Sequence, residues 1–178
     1  MKGLFSTTGL LMVLVLVGCR TTASMVSSNF SYNGRFKEYK TFQFLDQSVT
    51  GLEPNYDRIV RKIIARRFIA QGYVYSEKGS DLLITYKRLD EAMEFVGFQQ
   101  ETLKQWMANP TGDYSRRIKK EKYKVKLPED SLLVYLLDSG TGEIVWLGYS
   151  ELIGSDLQER NLMVSVGRIM DNYRLTNY

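Results

Sequence analysis

The chain has 178 residues, 24 of them Lys or Arg and 20 Asp or Glu, for a formal net charge of +4. A positive balance this mild favours solubility and weak attraction to anionic surfaces, and by itself it does not point to nucleic acid. There is no histidine and a single cysteine, Cys19, which excludes Ser-His and Cys-His catalysis, histidine metal ligation and intrachain disulfides.

The first element in chain order is the apolar run from Gly9 to Val17, preceded by Met1-Lys2 and closed by Leu16-Val17-Gly18-Cys19. As a helix it covers about 15 Å, whereas a bilayer span needs roughly 20 residues. That argues against a transmembrane anchor. A cleavable secretory signal with a chance cysteine is the other alternative. The segment nevertheless resembles a bacterial lipoprotein signal, because its length is that of a signal-peptide core and a small residue directly precedes the lone cysteine. On that resemblance Cys19 is acylated and becomes the first residue of the mature protein. Each chain contributes about 0.8 kcal/mol per buried CH₂, so two or three chains anchor the protein without a spanning segment. Arg20 follows the cysteine where an acidic residue would mark retention in the inner membrane. The implied address is the outer membrane, facing the periplasm. The expected organisation is a signal peptide over 1–18, the acylated cysteine and a flexible tether over 19–35, and a single domain over 36–178. The tether is read from Ser, Thr, Asn and Gly with few large apolar side chains between residues 20 and 35.

Tyr39 to Leu45 alternates aromatic and polar residues with Phe42 and Phe44 on one face, as a half-buried strand does. Turn chemistry follows at Gly51 and Pro54. From Asn55 to Gln71, Tyr56, Ile59, Val60, Ile63, Ile64 and Phe68 fall at helical spacing, with Asn55 placed as a cap and Gly72 as the terminating glycine. The opposite side carries Arg58, Arg61, Lys62, Arg66 and Arg67, read as a solvated face in preference to an anion-binding one. Asp81 to Tyr86 is a dense apolar and β-branched strand. Residues 90 to 114 contain Met93, Phe95, Val96, Phe98, Leu103, Trp106 and Met107, the last three on one helical face.

Lys120, Lys122, Lys124 and Lys126 then alternate with Glu121, Tyr123, Val125 and Leu127, giving a strand with one face entirely lysine. Arg116, Arg117 and Lys119 extend the positive patch. Lysines protect an exposed sheet edge from further pairing, a reading preferred to the other one, a binding face for phosphate or carboxylate groups. Ser131–Leu137 and Glu143–Tyr149 flank the turn Asp138-Ser139-Gly140-Thr141-Gly142, a hairpin whose first strand is apolar enough to be central. Leu162, Val166, Ile169, Met170 and Tyr173 line one stripe of a closing helix.

Three segments carry a family resemblance: the helix Tyr56–Ile64 ending in Gln71-Gly72-Tyr73, the strand opening Ser80-Asp81-Leu82-Leu83-Ile84, and the hairpin with Asp-x-x-Thr-Gly before Val145-Trp146-Leu147-Gly148. Together they resemble a family of small bacterial envelope lipoproteins catalogued only as a domain of unknown function, over about residues 38 to 173. The resemblance implies fold and location and transfers no catalytic or binding residue. Trp146 is expected in the core, and Asp138 and Thr141 as turn formers. Arg61 is placed to pair with Asp57 one turn back.

The order of elements predicts an α+β two-layer sandwich, a four- or five-stranded mixed sheet with two helices packed on one face. The function expected is non-catalytic: a lipid-anchored envelope protein, held to the membrane through its acyl chains, that binds an envelope protein complex or an anionic glycolipid. Neither a metal nor a cofactor is expected, and no nucleic acid. Its candidate contacts are the basic face of Lys120, Lys122, Lys124, Lys126, Arg116 and Arg117, and the apolar insert of Met93, Phe95, Phe98, Trp106 and Met107. The alternative is a carboxylate-dependent glycan hydrolase using Asp90, Glu91 and Glu94.

Overall fold

A computed structural model describes residues 26–45, 50–108, 122–151 and 159–173; Cys19, Arg116, Arg117 and Lys120 lie outside them. The elements run β1 (Val26–Phe30), β2 (Thr41–Phe44), α1 (Pro54–Ala70), β3 (Val74–Tyr75), β4 (Leu82–Arg88), β5 (Met93–Phe98), α2 (Leu103–Ala108), β6 (Lys122–Leu127), β7 (Leu132–Asp138), β8 (Ile144–Ser150) and α3 (Glu159–Asp171). Six strands form one mixed sheet in the order β1-β8-β7-β4-β2-β3, and β5 and β6 form a separate antiparallel pair. The α+β class and the placement of helices on one face hold. The main sheet has two more strands than the lower expectation because β1 and the two-residue β3 add themselves at its edges.

α1 begins at Glu53 and Pro54, two residues earlier than the Asn55 cap would place it. Proline costs nothing there, since the first helical N–H has no intrahelical partner to lose. Val60, Ile64 and Phe68 are fully buried beneath it, and Gly72 ends it with φ near +88°, a left-handed conformation that favours glycine. α3 packs beside α1 through Leu162, Val166, Ile169 and Met170, while Tyr173 stacks on Phe68 at 5.2 Å. These side chains meet Phe42, Leu82, Ile84, Leu132, Val134, Leu136 and Trp146 from the sheet. β7 is central, as its apolar character predicts, and pairs with β4 and β8 on either side.

Trp146 has no exposed surface, and Gly148 explains how it fits. A Cβ on Gly148 would lie 2.8 Å from Trp146 Cζ2 and 2.7 Å from Ile169 Cγ2, with Trp146 Cη2 closer still. Residues two apart on a strand share a face, so the indole lies along its own strand over the bare glycine. The Val-Trp-x-Gly pattern is thus a packing motif.

Part of the stretch expected as tether belongs to the sheet. Val26–Phe30 pairs antiparallel with β8, from Val26 opposite Ser150 to Phe30 opposite Trp146, and Phe36 and Tyr39 are buried in the core. Strand formation here comes from pairing with an existing edge, because five residues with two large side chains carry little pattern of their own. Gln100 completes that edge: its Oε1 accepts the Phe30 N–H at 3.0 Å and its Nε2 donates to the Phe30 carbonyl at 2.8 Å, as a neighbouring strand would.

Candidate functional site

The sheet face opposite the helices is covered in part by β5 and β6. Val125 and Leu127 are buried against Leu89, Leu133 and Tyr149, and Phe95 meets Tyr149 edge-on at 5.3 Å. Register assigns the two sides of the pair: Met93 with Leu127, Phe95 with Val125 and Gly97 with Tyr123 on one, Glu94 with Lys126, Val96 with Lys124, and Lys122 on the other. Since Val125 and Leu127 face inward, Lys122, Lys124 and Lys126 stand on the outer side, all exposed. Glu94 is their counter-charge, 2.7 Å from Lys124 Nζ and 4.0 Å from Lys126 Nζ. These contacts are exposed and therefore weak, leaving a cationic strip beside Val96, itself 53 % exposed.

The expected apolar insert divides in two. Met93 and Phe95 belong to β5, as does Phe98 by register. Trp106 turns to the helix side, 5.5 Å from Phe30 and 5.9 Å from Phe36, with Met107 against the same cluster. They do not form one contact surface, because the residues between β5 and α2 carry the chain from one face of the sheet to the other. Asp90, Glu91 and Glu94 are exposed, and Glu94 is the lysine partner just described.

The pair lies over a defined end of the sheet. Tyr149, next to Ser150 at the close of β8, is opposite Ser27 on β1. Its ring packs against Phe95 of β5 and lies in one buried cluster with Val125 of β6, and burial pushes its hydroxyl up to about 12. The start of β1 and the lysine-bearing pair are therefore neighbours.

Three aspartates tie distant segments together. Asp138 Oδ1 accepts the N–H groups of Gly140 at 2.8 Å and Thr141 at 3.1 Å, closing the hairpin turn. Its Oδ2 accepts the Tyr39 hydroxyl at 2.8 Å and Arg35 at 3.0 Å. Burial alone would raise this carboxyl, but the bonds from Tyr39, Arg35 and the two amides outweigh it and hold the group down at about 2. Asp81 Oδ2 accepts from Lys40 N, Thr41 N and Thr41 Oγ1, fixing β2 beside β4; the Lys40 amide is the main reason its pKa is lowered. Asp57 accepts the Tyr86 hydroxyl at 2.6 Å and Arg61 Nε at 2.9 Å, the pairing expected from the sequence. Arg61 also lies 5.3 Å above the Phe44 ring, so it is part of the helix–sheet contact and not of a solvated basic face. Arg67 likewise leaves that face to pair with Asp171 at 3.0 Å. No group of three or more metal-ligating side chains occurs among the described residues.

A family model described as "Domain of unknown function (DUF4136)" matches residues 26–173. No curated protein matches the chain. Among solved structures, a PDZ domain protein from Parabacteroides distasonis ATCC 8503 superposes with a TM-score of 0.50 at 16% identity, over 87% of this chain and 37% of that one. This chain thus spans little more than a third of that protein, and the likeness concerns fold alone. The PelC dodecamer from Paraburkholderia phytofirmans aligns with TM-scores of 0.48 for an L103M form and 0.46 for a second crystal form, at 9% identity, covering 86% of this chain and 99% of the other.

Proposed function

This chain belongs to the DUF4136 family, and we propose that it is a non-catalytic, lipid-anchored outer-membrane protein whose lysine strip contacts an anionic envelope surface. The observation that carries the reading is the position of the strip at the end of the sheet where β1 begins. Seven peptide steps separate Cys19 from Val26, a reach of at most about 25 Å. An acyl anchor on Cys19 keeps that end of the domain close to the bilayer, within range of negatively charged headgroups. Each lysine near such a surface contributes about 1 kcal/mol, and the attraction falls off over a Debye length of about 8 Å at physiological ionic strength. Asp138, Asp81 and Asp57 are occupied by hydrogen bonds that hold the fold, which leaves the non-catalytic reading the simpler one.

Two measurements test it. Cys19→Ser removes the sulfur that the thioether requires, so incorporation of labelled fatty acid and recovery in the outer-membrane fraction are both expected to cease. In that unacylated background, reversal of Lys122, Lys124 and Lys126 to Glu is expected to lower affinity for vesicles containing anionic phospholipid by at least about tenfold. Added salt is expected to weaken the parent and hardly affect the variant. Equal binding by both proteins, with the fold confirmed by circular dichroism, refutes the contact.

A further inference from the structure

A second site lies at the opposite end of the sheet. The 36–40 segment, the turn Gln71-Gly72-Tyr73 that ends α1, and Met107 of α2 enclose a groove of about 260 Å³. Phe36, Tyr39, Tyr73 and Met107 supply its apolar wall, and the exposed Lys37 and Lys40 stand at its rim. Among the described residues no carboxylate lines it. Of the acids nearby, Asp138 is held by Arg35 and Asp81 by the Lys40 and Thr41 amides, while the exposed Glu38 pairs weakly with Arg35 at 3.4 Å. Among the described residues neither Lys37 nor Lys40 has an ion-pair partner.

The polar groups behind the wall are turned away from it. Tyr73 shares a hydrogen bond with Tyr173 at 2.9 Å, and the Tyr39 hydroxyl goes to Asp138, so both phenols present ring carbon to the groove. At the helix terminus the Phe68 and Ile69 carbonyls accept the Gln71, Gly72 and Tyr73 N–H groups, which offsets part of the negative charge at that end of the helix dipole. A Cβ at Gly72 would meet nothing within 4 Å, which leaves the mouth open above the bare glycine.

We infer that this groove binds a single acidic sugar residue, its carboxylate or phosphate held by Lys37 and Lys40 and its ring against the aromatic and thioether wall. Charge-assisted bonds from ammonium groups suit either anion, and the volume falls just below the range of about 300–1,000 Å³ typical of drug-sized ligands, which fits one ring. Topology bears on the source. β2 starts at this end and β1 at the other, and the six steps along β4 separate the two ends by about 20 Å. If the proposed anchor holds, the groove faces away from its own bilayer and meets soluble or polymer-borne sugars, not the headgroups beneath it. Only this assignment of source rests on the anchor; the binding itself does not.

The test uses the full-length protein in detergent, labelled with ¹³C-methyl methionine, the Met107 resonance being identified with a Met107→Leu variant. Glucuronate or glucose 6-phosphate is expected to shift that resonance saturably, with glucose at least tenfold weaker and inorganic phosphate without effect on it. Lys37→Glu with Lys40→Glu is expected to reduce affinity at least tenfold, and the milder Lys→Gln pair to reduce it in the same direction. Reversal of Lys122, Lys124 and Lys126 is expected to leave the shift intact, which separates this site from the membrane-facing strip. No saturable shift with either acidic sugar overturns the inference. So does equal response to glucose or phosphate alone, or binding indifferent to Lys37 and Lys40.

Discussion

Gly148→Ala offers the most demanding check on the packing of the core. The added methyl would sit 2.7 Å from Ile169 Cγ2 and 2.8 Å from Trp146 Cζ2, where ordinary contact begins at 3.4 Å. Neither neighbour can easily retreat, since both are fully buried, and the backbone at Gly148 is paired with Ser28 on one side and Val134 on the other. Overpacking of this kind costs about 1–3 kcal/mol, and the rigidity on both flanks places the expectation near 3. That corresponds to a loss of more than about a hundredfold in the folding equilibrium and about 10 °C in Tm for a domain of this size. The mechanism has its own signature. Trp146→Phe removes the outer indole atoms and is expected to cost about 2 kcal/mol as a cavity, but in that background Gly148→Ala should cost under about 1. Urea unfolding followed by far-ultraviolet circular dichroism on all four proteins of the cycle gives the coupling. An unchanged midpoint for Gly148→Ala, or the same loss with and without the indole, refutes the close approach of ring and glycine.

Asp138 makes stability depend on pH in a stated direction. Its folded pKa of about 2 lies below the ordinary 3.8, so its contribution is present above 3.8 and lost as pH falls through about 2. Asp138→Asn is expected to lower stability at neutral pH and to flatten the acid limb of a denaturation series between those values. Asp57→Ala deprives the Tyr86 hydroxyl of its 2.6 Å acceptor and is expected to cost about 1–3 kcal/mol in urea denaturation, whereas Arg58→Ala, on the exposed side of the same helix, should cost under about 0.5. Gln100→Ala removes the partner of both main-chain groups of Phe30; hydrogen exchange at the Phe30 amide is expected to accelerate at least tenfold while the Leu136 amide in the central strand stays protected.

The sequence by itself determined the elements whose pattern is local. The stripes of α1 and α3, the apolar run of β7, the turn at Asp138–Gly142 and the core placement of Trp146 all follow from periodicity and turn chemistry within one segment, and the structure agrees with each. The role of Gly148 was within reach as well, for it stands two residues from a tryptophan on the same strand. Other features depend on where separate elements come to rest, and only the tertiary structure decided them. Val26–Phe30 became a strand because β8 offered an edge, and Asp138 reaches Arg35 and Tyr39, which lie about a hundred positions earlier in the chain. Trp106 and Phe95, close in sequence and alike in character, went to opposite faces of the sheet. The lysine strand was visible as a pattern, but its position beside the start of β1 and the groove at the far end were not. Local spacing records which side chains share a face; which faces then meet is settled by burying them together, a choice made across the whole chain at once.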